Sequence, residues 1–307
     1  VIVGAPRAQS HLEAQRNINE TGAIYKCTLN TGTCAPYVFD TKGNTYSEGN
    51  QYVYDSEKKD NQWLGGSMDG GSKDTDKLIV CAPRLIANLE PNDYLIHGIC
   101  YWTNDTLTNT PTVKVISPLR LKTKQVKVMD KGRKRFNHMF GEQGISVHLT
   151  DNNEEFIIGA PGIDTWRGSV VRSRYKLKED IGGLSRRRRD IFKFPGTYDF
   201  VISSGYFNSS DDKKLLYLAT APQADNQSGE AYIFDIEGSG DNYEIKKLFV
   251  FHGSKFGEYF GYSVLTEDVN GDGLPDVIIS APQYWTNSQS YEVGAIYIFI
   301  NRGKKYV

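Results

Sequence analysis

The chain has 307 residues, with 36 Lys and Arg against 37 Asp and Glu, so its formal net charge is −1. This balance gives no general reason to expect nucleic acid or an anionic membrane as a partner. No run approaches the roughly 20 apolar residues that span a bilayer, and the first ten residues lack the basic and apolar regions of a signal peptide. The 30 Gly and 19 Tyr favour many short strands joined by turns.

A repeat begins with the first residues of the chain. Five apolar runs end in Ala-Pro, at Pro6, Pro83, Pro161, Pro222 and Pro282. After each Pro, a loop and a Gly precede a second apolar run, and these glycines are Gly22, Gly98, Gly168, Gly229 and Gly294. Three units also carry an apolar residue and Gly before the first run, namely Leu64-Gly65, Phe140-Gly141 and Phe260-Gly261. Since proline cannot donate to a sheet ladder, each unit predicts a strand that ends at Ala-Pro and a second strand that begins after Gly.

The spacing of the repeat indicates the fold class. Successive Ala-Pro prolines are 77, 78, 61 and 60 residues apart, which exceeds the usual ankyrin and leucine-rich repeat lengths. Such a unit accommodates four short strands and their loops, as in a propeller blade. The sequence therefore predicts an all-β fold, a β-propeller; the alternative is a β-sandwich with Ala-Pro dipeptides that recur by chance. Because the chain opens directly on such a run, we expect it to be a fragment.

Cysteines and glycosylation sequons indicate an extracellular protein. The four cysteines form two local pairs, Cys27 with Cys34 and Cys81 with Cys100, and an even number suits two disulfides in a secreted protein. Three connectivities are formally possible, and four buried thiols in a cytosolic protein are the alternative. The sequons lie at Asn19, Asn104, Asn208 and Asn226.

The segment DVNGDGLPD, residues 268–276, predicts a calcium site. The side-chain oxygens of Asp268, Asn270, Asp272 and Asp276, with a backbone carbonyl near Leu274, are the ligands that Ca²⁺ takes. Zinc fits less well, because it prefers His and Cys. An EF-hand is excluded because no Glu stands at the twelfth position and both flanks resemble strands. We interpret the segment as a calcium-stapled β-hairpin, with a solvated acidic turn as the alternative.

Two related loops depart from this pattern. In residues 206–214, Tyr206, Ser210 and Lys214 stand where carboxylates are needed, and a lysine would repel Ca²⁺. We therefore expect that loop to bind no metal. Residues 151–155 are interpreted as a polar turn, with a metal site as the alternative.

The FG, GAP and G-x-(I/V)-Y motifs together resemble the FG-GAP repeat of integrin α subunits, and the resemblance covers nearly the whole chain. In that family seven repeats close into one propeller, which implies about five blades here, with limits at 1–39, 40–117, 118–178, 179–237 and 238–307. The two cysteine pairs resemble the disulfides of the family's first two blades. Only 40 residues separate Cys100 from Phe140. This distance leaves no room for the inserted, metal-binding I domain, so the resemblance is to the type without it, and it is invertebrate-like.

The resemblance also implies a function. The family uses this propeller as the extracellular head of a cell-surface adhesion receptor that pairs with a β subunit and binds matrix or cell-surface proteins. A membrane anchor would lie in a segment outside this chain. The family grips one basic residue of the β subunit with a ring of aromatics, for which the candidates here are Trp63, Phe140, Tyr198 and Phe260. Ordinary strand packing is the alternative for each of them.

The ligand is expected to contact a basic rim. Its candidate residues are Lys131, Arg133, Lys134, Arg135 and Trp166. An arginine in the ligand would meet repulsion there, so we expect a ligand that is acidic beside its metal-binding carboxylate. In the alternative, these loops hang clear of the site and Asp130 or Asp199 grips the ligand.

Catalysis is not expected. The five histidines, His11, His97, His138, His148 and His252, are scattered, and neither HExxH nor G-x-S-x-G is present. We interpret each histidine as a surface or loop residue. The alternative to an integrin is an FG-GAP scaffold of another secreted protein, for example one appended to a phospholipase. The run Arg186–Arg189 is either a protease site or a solvated loop.

Overall fold

A computed structural model describes residues 1–46, 52–71, 76–90, 93–129, 132, 134–174, 189–191, 201–208, 214–239, 242–286 and 291–307. In these ranges the chain forms five antiparallel sheets of three or four strands and two separate two-stranded ribbons. The helices are single turns of three or four residues: the α-turns are α1 (Lys122–Gln125), α2 (Ile163–Trp166) and α3 (Ala224–Gln227), and the 3-10 turns are Glu13–Gln15 and Pro118–Arg120. None of the helices in the described residues has the length and hydropathy of a membrane span.

The strands are numbered in chain order. Sheet one contains β1 (Ile2–Ala5), β2 (Ala23–Thr28) and β3 (Thr33–Pro36). Sheet two contains β4 (Ser67–Gly70), β5 (Leu78–Ala82), β8 (Ile99–Thr103) and β9 (Lys114–Ile116), and the ribbon β6 (Ile86–Glu90) with β7 (Asp93–Ile96) lies between β5 and β8 in the chain. The second ribbon, β10 (Val126–Val128) with β11 (Lys134–Phe136), precedes sheet three.

Sheets three to five continue this succession. Sheet three contains β12 (Val147–Leu149), β13 (Glu155–Ala160), β14 (Ser169–Arg174) and β15 (Arg189–Ile191). Sheet four contains β16 (Ile202–Gly205), β17 (Leu216–Ala221), β18 (Glu230–Ser239) and β19 (Asn242–His252). Sheet five contains β20 (Val264–Glu267), β21 (Asp276–Ala281) and β22 (Ala295–Phe299). Strands β15 and β19 lie beyond the blade limits expected at residues 178 and 237, and the division into blades stays a prediction.

The Ala-Pro repeat marks the same strand boundary in every sheet. Strands β1, β5, β13, β17 and β21 each end at the Ala before the Pro, because a proline cannot extend the ladder. Strands β2, β8, β14, β18 and β22 each begin directly after the repeated Gly. The structure thereby confirms the predicted all-β propeller, in which the same multi-stranded unit recurs along the chain.

The repeated glycines let neighbouring sheets approach each other. Gly98 has a φ of +66° and Gly229 a φ of +99°, which side chains rarely tolerate. A Cβ on Gly98 would lie 2.1 Å from the carbonyl oxygen of Gln143, and one on Gly229 would lie 2.1 Å from that of Phe260. In both cases the opposing backbone belongs to the segment that opens the next sheet. Glycine is therefore required both by the backbone conformation and by the contact between sheets.

The sequence placed Phe140-Gly141 as the equivalent of Leu64-Gly65 and Phe260-Gly261, and this prediction is wrong. The chain turns through positive φ at Trp63, Glu142 and Tyr259, and the next two residues form the contact with the preceding sheet. In sheet three those two residues are Gln143 and Gly144, whose N–H groups donate to the carbonyls of His97 and Gly159. The FG letters at 140–141 come before this turn, so they do not occupy the place that Leu64-Gly65 and Phe260-Gly261 hold.

The apolar core lies between neighbouring sheets. Residues of β5, β13 and β17 are buried without interruption, as expected for strands covered on both faces. Trp102 of sheet two packs on Phe156 of sheet three, with ring centroids 5.5 Å apart. Leu218 of sheet four shares one buried cluster with Phe260 and Val277 around sheet five. Each sheet is thus stabilised mainly by the sheets that flank it.

Polar side chains also join the first strands of sheets two to five. Nδ1 of His148 lies 3.1 Å from Oδ2 of Asp69, and Nε2 of His148 lies 2.9 Å from Oγ of Ser204. The hydroxyl of Thr266 donates to the carbonyl of Ser204 at 2.9 Å. These bonds link β4, β12, β16 and β20 in succession.

His97 lies in the loop between β7 and β8, which fits its interpretation as a surface or loop residue, but its side chain is fully buried. Nδ1 contacts the carbonyl of Gly98 at 2.6 Å. Burial, and then the charge of Arg120, lower the pKa of His97 to about 4, so the imidazole stays neutral inside the fold at neutral pH. The burial of the ring and its contact with the Gly98 carbonyl indicate a structural role.

Both predicted disulfides form, Cys27–Cys34 and Cys81–Cys100. Each joins two residues that stand directly opposite each other in a ladder, β2 with β3 and β5 with β8. The first closes a short hairpin, and the second holds β8 to β5 across the insertion of β6 and β7.

The glycine contact between sheets generates a stability prediction. Gly229→Ala adds a Cβ that meets the Phe260 carbonyl at 2.1 Å in a backbone with positive φ, so we expect a loss of at least about 2 kcal/mol in unfolding free energy. Gly257→Ala is the matched control, because its φ is +76° but no atom lies within 4 Å of its Cβ. We expect that control to lose only about 1 kcal/mol. Equal shifts in the thermal unfolding midpoints of the two variants would contradict the account.

Candidate functional site

The acidic loop between β20 and β21 is ordered by its own backbone. Oδ1 of Asp268 accepts the N–H of Gly271 at 2.7 Å, and Oδ2 accepts the N–H of Gly273 at 2.7 Å. These bonds, the one from Gly273 first, hold the pKa of Asp268 below its usual value. Gly271 and Gly273 have positive φ, at +75° and +86°, which permits the tight reversal.

The loop also gathers its other oxygen donors. Asp276, the first residue of β21, is fully buried, and its carboxylate accepts the N–H of Val269 at 3.1 Å and that of Asn301 at 2.7 Å. Oδ2 of Asp272 lies 3.2 Å from Nη1 of Arg302. Leu274 donates its N–H to Oδ1 of Asp272 at 3.0 Å. In this arrangement the carboxylates accept hydrogen bonds from N–H groups around the loop. The side-chain oxygens gathered here are of the kind that hard divalent cations take as ligands.

The two related loops hold no comparable donor set among the residues that the structure describes. Lys214 forms an ion pair with the carboxylate of Asp235 on β18, while Tyr206 is 37% exposed and Ser210 lies outside the described residues. The absence of metal in that loop stays a prediction. In the turn at 151–155, Glu155 is occupied by Arg174 at 2.6 Å and by the hydroxyl of Tyr217 at 2.7 Å.

Exposed aromatic side chains lie where the loops after Ala-Pro begin. Phe140 and Trp166 stack with ring centroids 5.7 Å apart, and they are 39% and 45% exposed. At the same end of sheet two, the guanidinium of Arg84 lies 4.7 Å from the ring centroid of Trp63. The exposed surface of Phe140 and Trp166 is available to another molecule, whereas Trp63 is partly buried.

The four candidates for the aromatic ring fall in different environments. Trp63 is partly buried, Phe140 is exposed beside Trp166, and Tyr198 lies outside the described residues. Phe260 is fully buried and packs edge-to-face on Tyr297 at 5.0 Å. Ordinary strand packing, the alternative for each candidate, therefore describes Phe260 best.

The basic rim is described only in part. Lys131, Arg133 and both alternative acids, Asp130 and Asp199, lie outside the described residues, as do residues 186–188. Lys134 and Arg135 belong to β11, and Arg135 is exposed. The structure thus brings Phe140 and Trp166 together but does not place the rest of the rim around them.

Three of the four sequon asparagines are exposed, namely Asn19, Asn104 and Asn226, and Asn208 is half-buried. Exposure fits glycosylation, which stays a prediction. One group that the sequence did not indicate is a cluster of Asp225, Glu230 and His252 at one end of sheet four. No spacing pattern could have found it, because the ladder between β18 and β19 brings distant residues together.

Comparisons with known proteins agree with the geometry. The FG-GAP repeat family matches residues 260–299. The chain is 52% identical to integrin alpha-PS3 and 46% identical to integrin alpha-PS5, both of Drosophila melanogaster, over 99% of its own length and over 30% and 28% of theirs. It is 27% identical to human integrin alpha-8 over 98% of the chain and 28% of that protein.

The chain spans about 30% of the length of the curated relatives it matches. Within that span the similarity runs through all five sheets, and the Ala-Pro units, the two disulfides and the acidic hairpin all lie inside it. The segment is homologous to part of the integrin α subunits over nearly the whole of its own length.

Proposed function

We propose that this segment forms part of the ligand-binding head of an adhesion receptor at the cell surface, paired with an integrin β subunit. The observation that carries the proposal is the 52% identity to integrin alpha-PS3 over 99% of the chain. A propeller appended to another kind of secreted protein is less well supported, because integrin alpha-PS3, alpha-PS5 and alpha-8, to which the chain is similar, are integrin α chains. The function is therefore recognition of other proteins and not catalysis.

The end of the sheets that carries the loops after Ala-Pro is the proposed recognition face. Trp63 with Arg84 and Phe140 with Trp166 present aromatic surface there. Aromatic and arginine side chains are enriched in the energetically important parts of interfaces. We assign Trp63 and Phe140 to contact with the β subunit, and Trp166 to contact with the ligand. Tyr198 stays a candidate for the first contact.

The proposed ligand is acidic. Arg135 is exposed on β11, and Arg167 beside Trp166 has a side chain that is 69% exposed. Asp164 partly offsets Arg167, since their charged atoms lie 3.6 Å apart. With Lys131, Arg133 and Lys134 in the same stretch of sequence, the basic side chains favour a carboxylate in the ligand.

The opposite end of the sheets has a structural role in this proposal. We assign Ca²⁺ to the loop of Asp268, Asn270, Asp272, Leu274 and Asp276. These residues provide carboxylate, amide and carbonyl oxygens between two paired strands. The ion would neutralise the converging carboxylates and hold β20 to β21.

Recognition at the aromatic face is tested by adhesion. The full-length α chain is expressed with a β subunit in cells, and adhesion to a panel of matrix proteins is measured. Trp166→Ala is expected to lower adhesion at least about tenfold, because truncation of an aromatic hot-spot contact costs about 2 kcal/mol or more. The matched control is Tyr206→Ala, at the opposite end of sheet four and 37% exposed. With equal surface expression, equal adhesion of both variants would contradict the assignment of this face.

Calcium at the acidic hairpin is tested by chelation. Removal of Ca²⁺ should lower the thermal unfolding midpoint of the secreted protein, because the carboxylates then lose their counter-ion. Asp272→Ala should remove most of this sensitivity, whereas Asp151→Ala, in the turn without a predicted metal, should retain it. An equal response to chelator in the wild type and in Asp272→Ala would show that the ion binds elsewhere.

A further inference from the structure

Three metal-ligating side chains meet at the end of sheet four. Asp225 belongs to α3, Glu230 is the first residue of β18, and His252 is the last residue of β19. Nδ1 of His252 lies 3.0 Å from Oδ2 of Asp225 and 3.7 Å from Oε1 of Glu230. All three donor atoms lie within 4.8 Å of one another. The cluster lies at the Ala-Pro end of sheet four, and neither the acidic hairpin at 268–276 nor the aromatic contacts of the recognition face account for it.

The backbone alone brings the three residues together. Glu230 and His252 are direct partners in the antiparallel ladder, so their side chains share one face. The turn that carries Asp225, with a φ of +47°, recurs in sheet three at Asp164, with a φ of +51°. There Ser169 occupies the first position of the following strand, the position that Glu230 holds in sheet four. The turn therefore forms without a carboxylate at that position, and Glu230 is not needed to shape it.

The charges of the cluster favour a cation. Two carboxylates approach the same imidazole nitrogen, and a neutral imidazole can donate from Nδ1 to only one of them at a time. The ammonium of Lys247 lies 3.9 Å from Oε2 of Glu230, the oxygen that does not face His252. A divalent metal ion would accept a lone pair from all three donors at once and neutralise both carboxylates.

The distances fit a small tetrahedral ion. Zinc bonds of about 2.0–2.1 Å to His and carboxylate ligands place neighbouring ligand atoms roughly 3.3–3.4 Å apart. The two separations from His252, 3.0 and 3.7 Å, lie on either side of that value, and the carboxylate oxygens of Asp225 and Glu230 lie within 4.8 Å of each other. The side chains of Asp225 and His252 are 41% and 52% exposed, so the remaining position faces solvent. Three protein ligands with one open position form the zinc arrangement that accepts an external ligand.

We propose that Asp225, Glu230 and His252 bind one Zn²⁺ ion, with the fourth coordination position open to water or to an acidic group of another molecule. The imidazole separates this site from the all-oxygen hairpin at 268–276, which suits Ca²⁺. The two sites also lie at opposite ends of their sheets, because one follows an Ala-Pro strand and the other precedes one.

Zinc titration tests the site directly. Zn²⁺ is titrated by calorimetry into the tag-free secreted protein in excess Ca²⁺, which saturates the acidic hairpin. We expect one zinc site in the wild type, at least about 100-fold weaker in His252→Lys and in Asp225→Asn, since each removes a direct ligand. His252→Lys removes the metal ligand and places a positive charge beside both carboxylates, so the variant does not leave them without a partner. His11→Gln, an exposed histidine elsewhere, is the control and should bind zinc as the wild type does.

A structural readout accompanies the titration. Crystals soaked with Zn²⁺ should show an anomalous peak at the zinc edge among the three side chains. Equal zinc binding by the wild type and His252→Lys, with both variants folded by thermal unfolding, would overturn the proposal. The absence of zinc binding in the wild type at millimolar zinc would overturn it as well.

Discussion

The close contact between the repeated glycine of one sheet and the opening backbone of the next is the constraint on which the structure depends. At Gly98 and Gly229 this contact leaves no room for a Cβ. The contact holds neighbouring sheets together at the end that carries the Ala-Pro loops, and the buried aromatic and aliphatic side chains then fill the space between the sheets. Because the sequence repeats the Gly at each unit, the chain can add sheets one after another with the same geometry.

The two ends of the sheets differ in their chemistry. Strand β21 has the acidic hairpin before it and the Ala-Pro loop after it, so these features lie at opposite ends of one strand. Oxygen donors and glycines that permit tight turns characterise the first end, and exposed aromatic and basic side chains characterise the second. We infer that one end stabilises the hairpins, whereas the other presents a surface to partner proteins.

Much of the fold could be predicted because its signals are local. Proline ends a ladder wherever it occurs, and the cysteines of each pair stand opposite each other in a hairpin or in adjacent strands. The environment of Phe140 could not be predicted, since the turn that separates it from Gln143 depends on backbone angles that the letters FG do not encode. His252 joined Asp225 and Glu230 only through the register of β18 and β19, which contains a shift between Ile233 and Phe234. This register depends on the turn between the two strands and on the bulge at that shift, and the sequence motifs predicted neither.

The central claim is that the Ala-Pro end of these sheets is the face that meets the β subunit. Hydrogen–deuterium exchange of the full-length α chain, alone and in its heterodimer, tests it most directly. When the β subunit is bound, the account predicts slower exchange at residues 62–66, 138–142 and 161–168. Exchange at the turns 150–154 and 268–275 should stay unchanged. Protection confined to the second group, with none at the first, would contradict it.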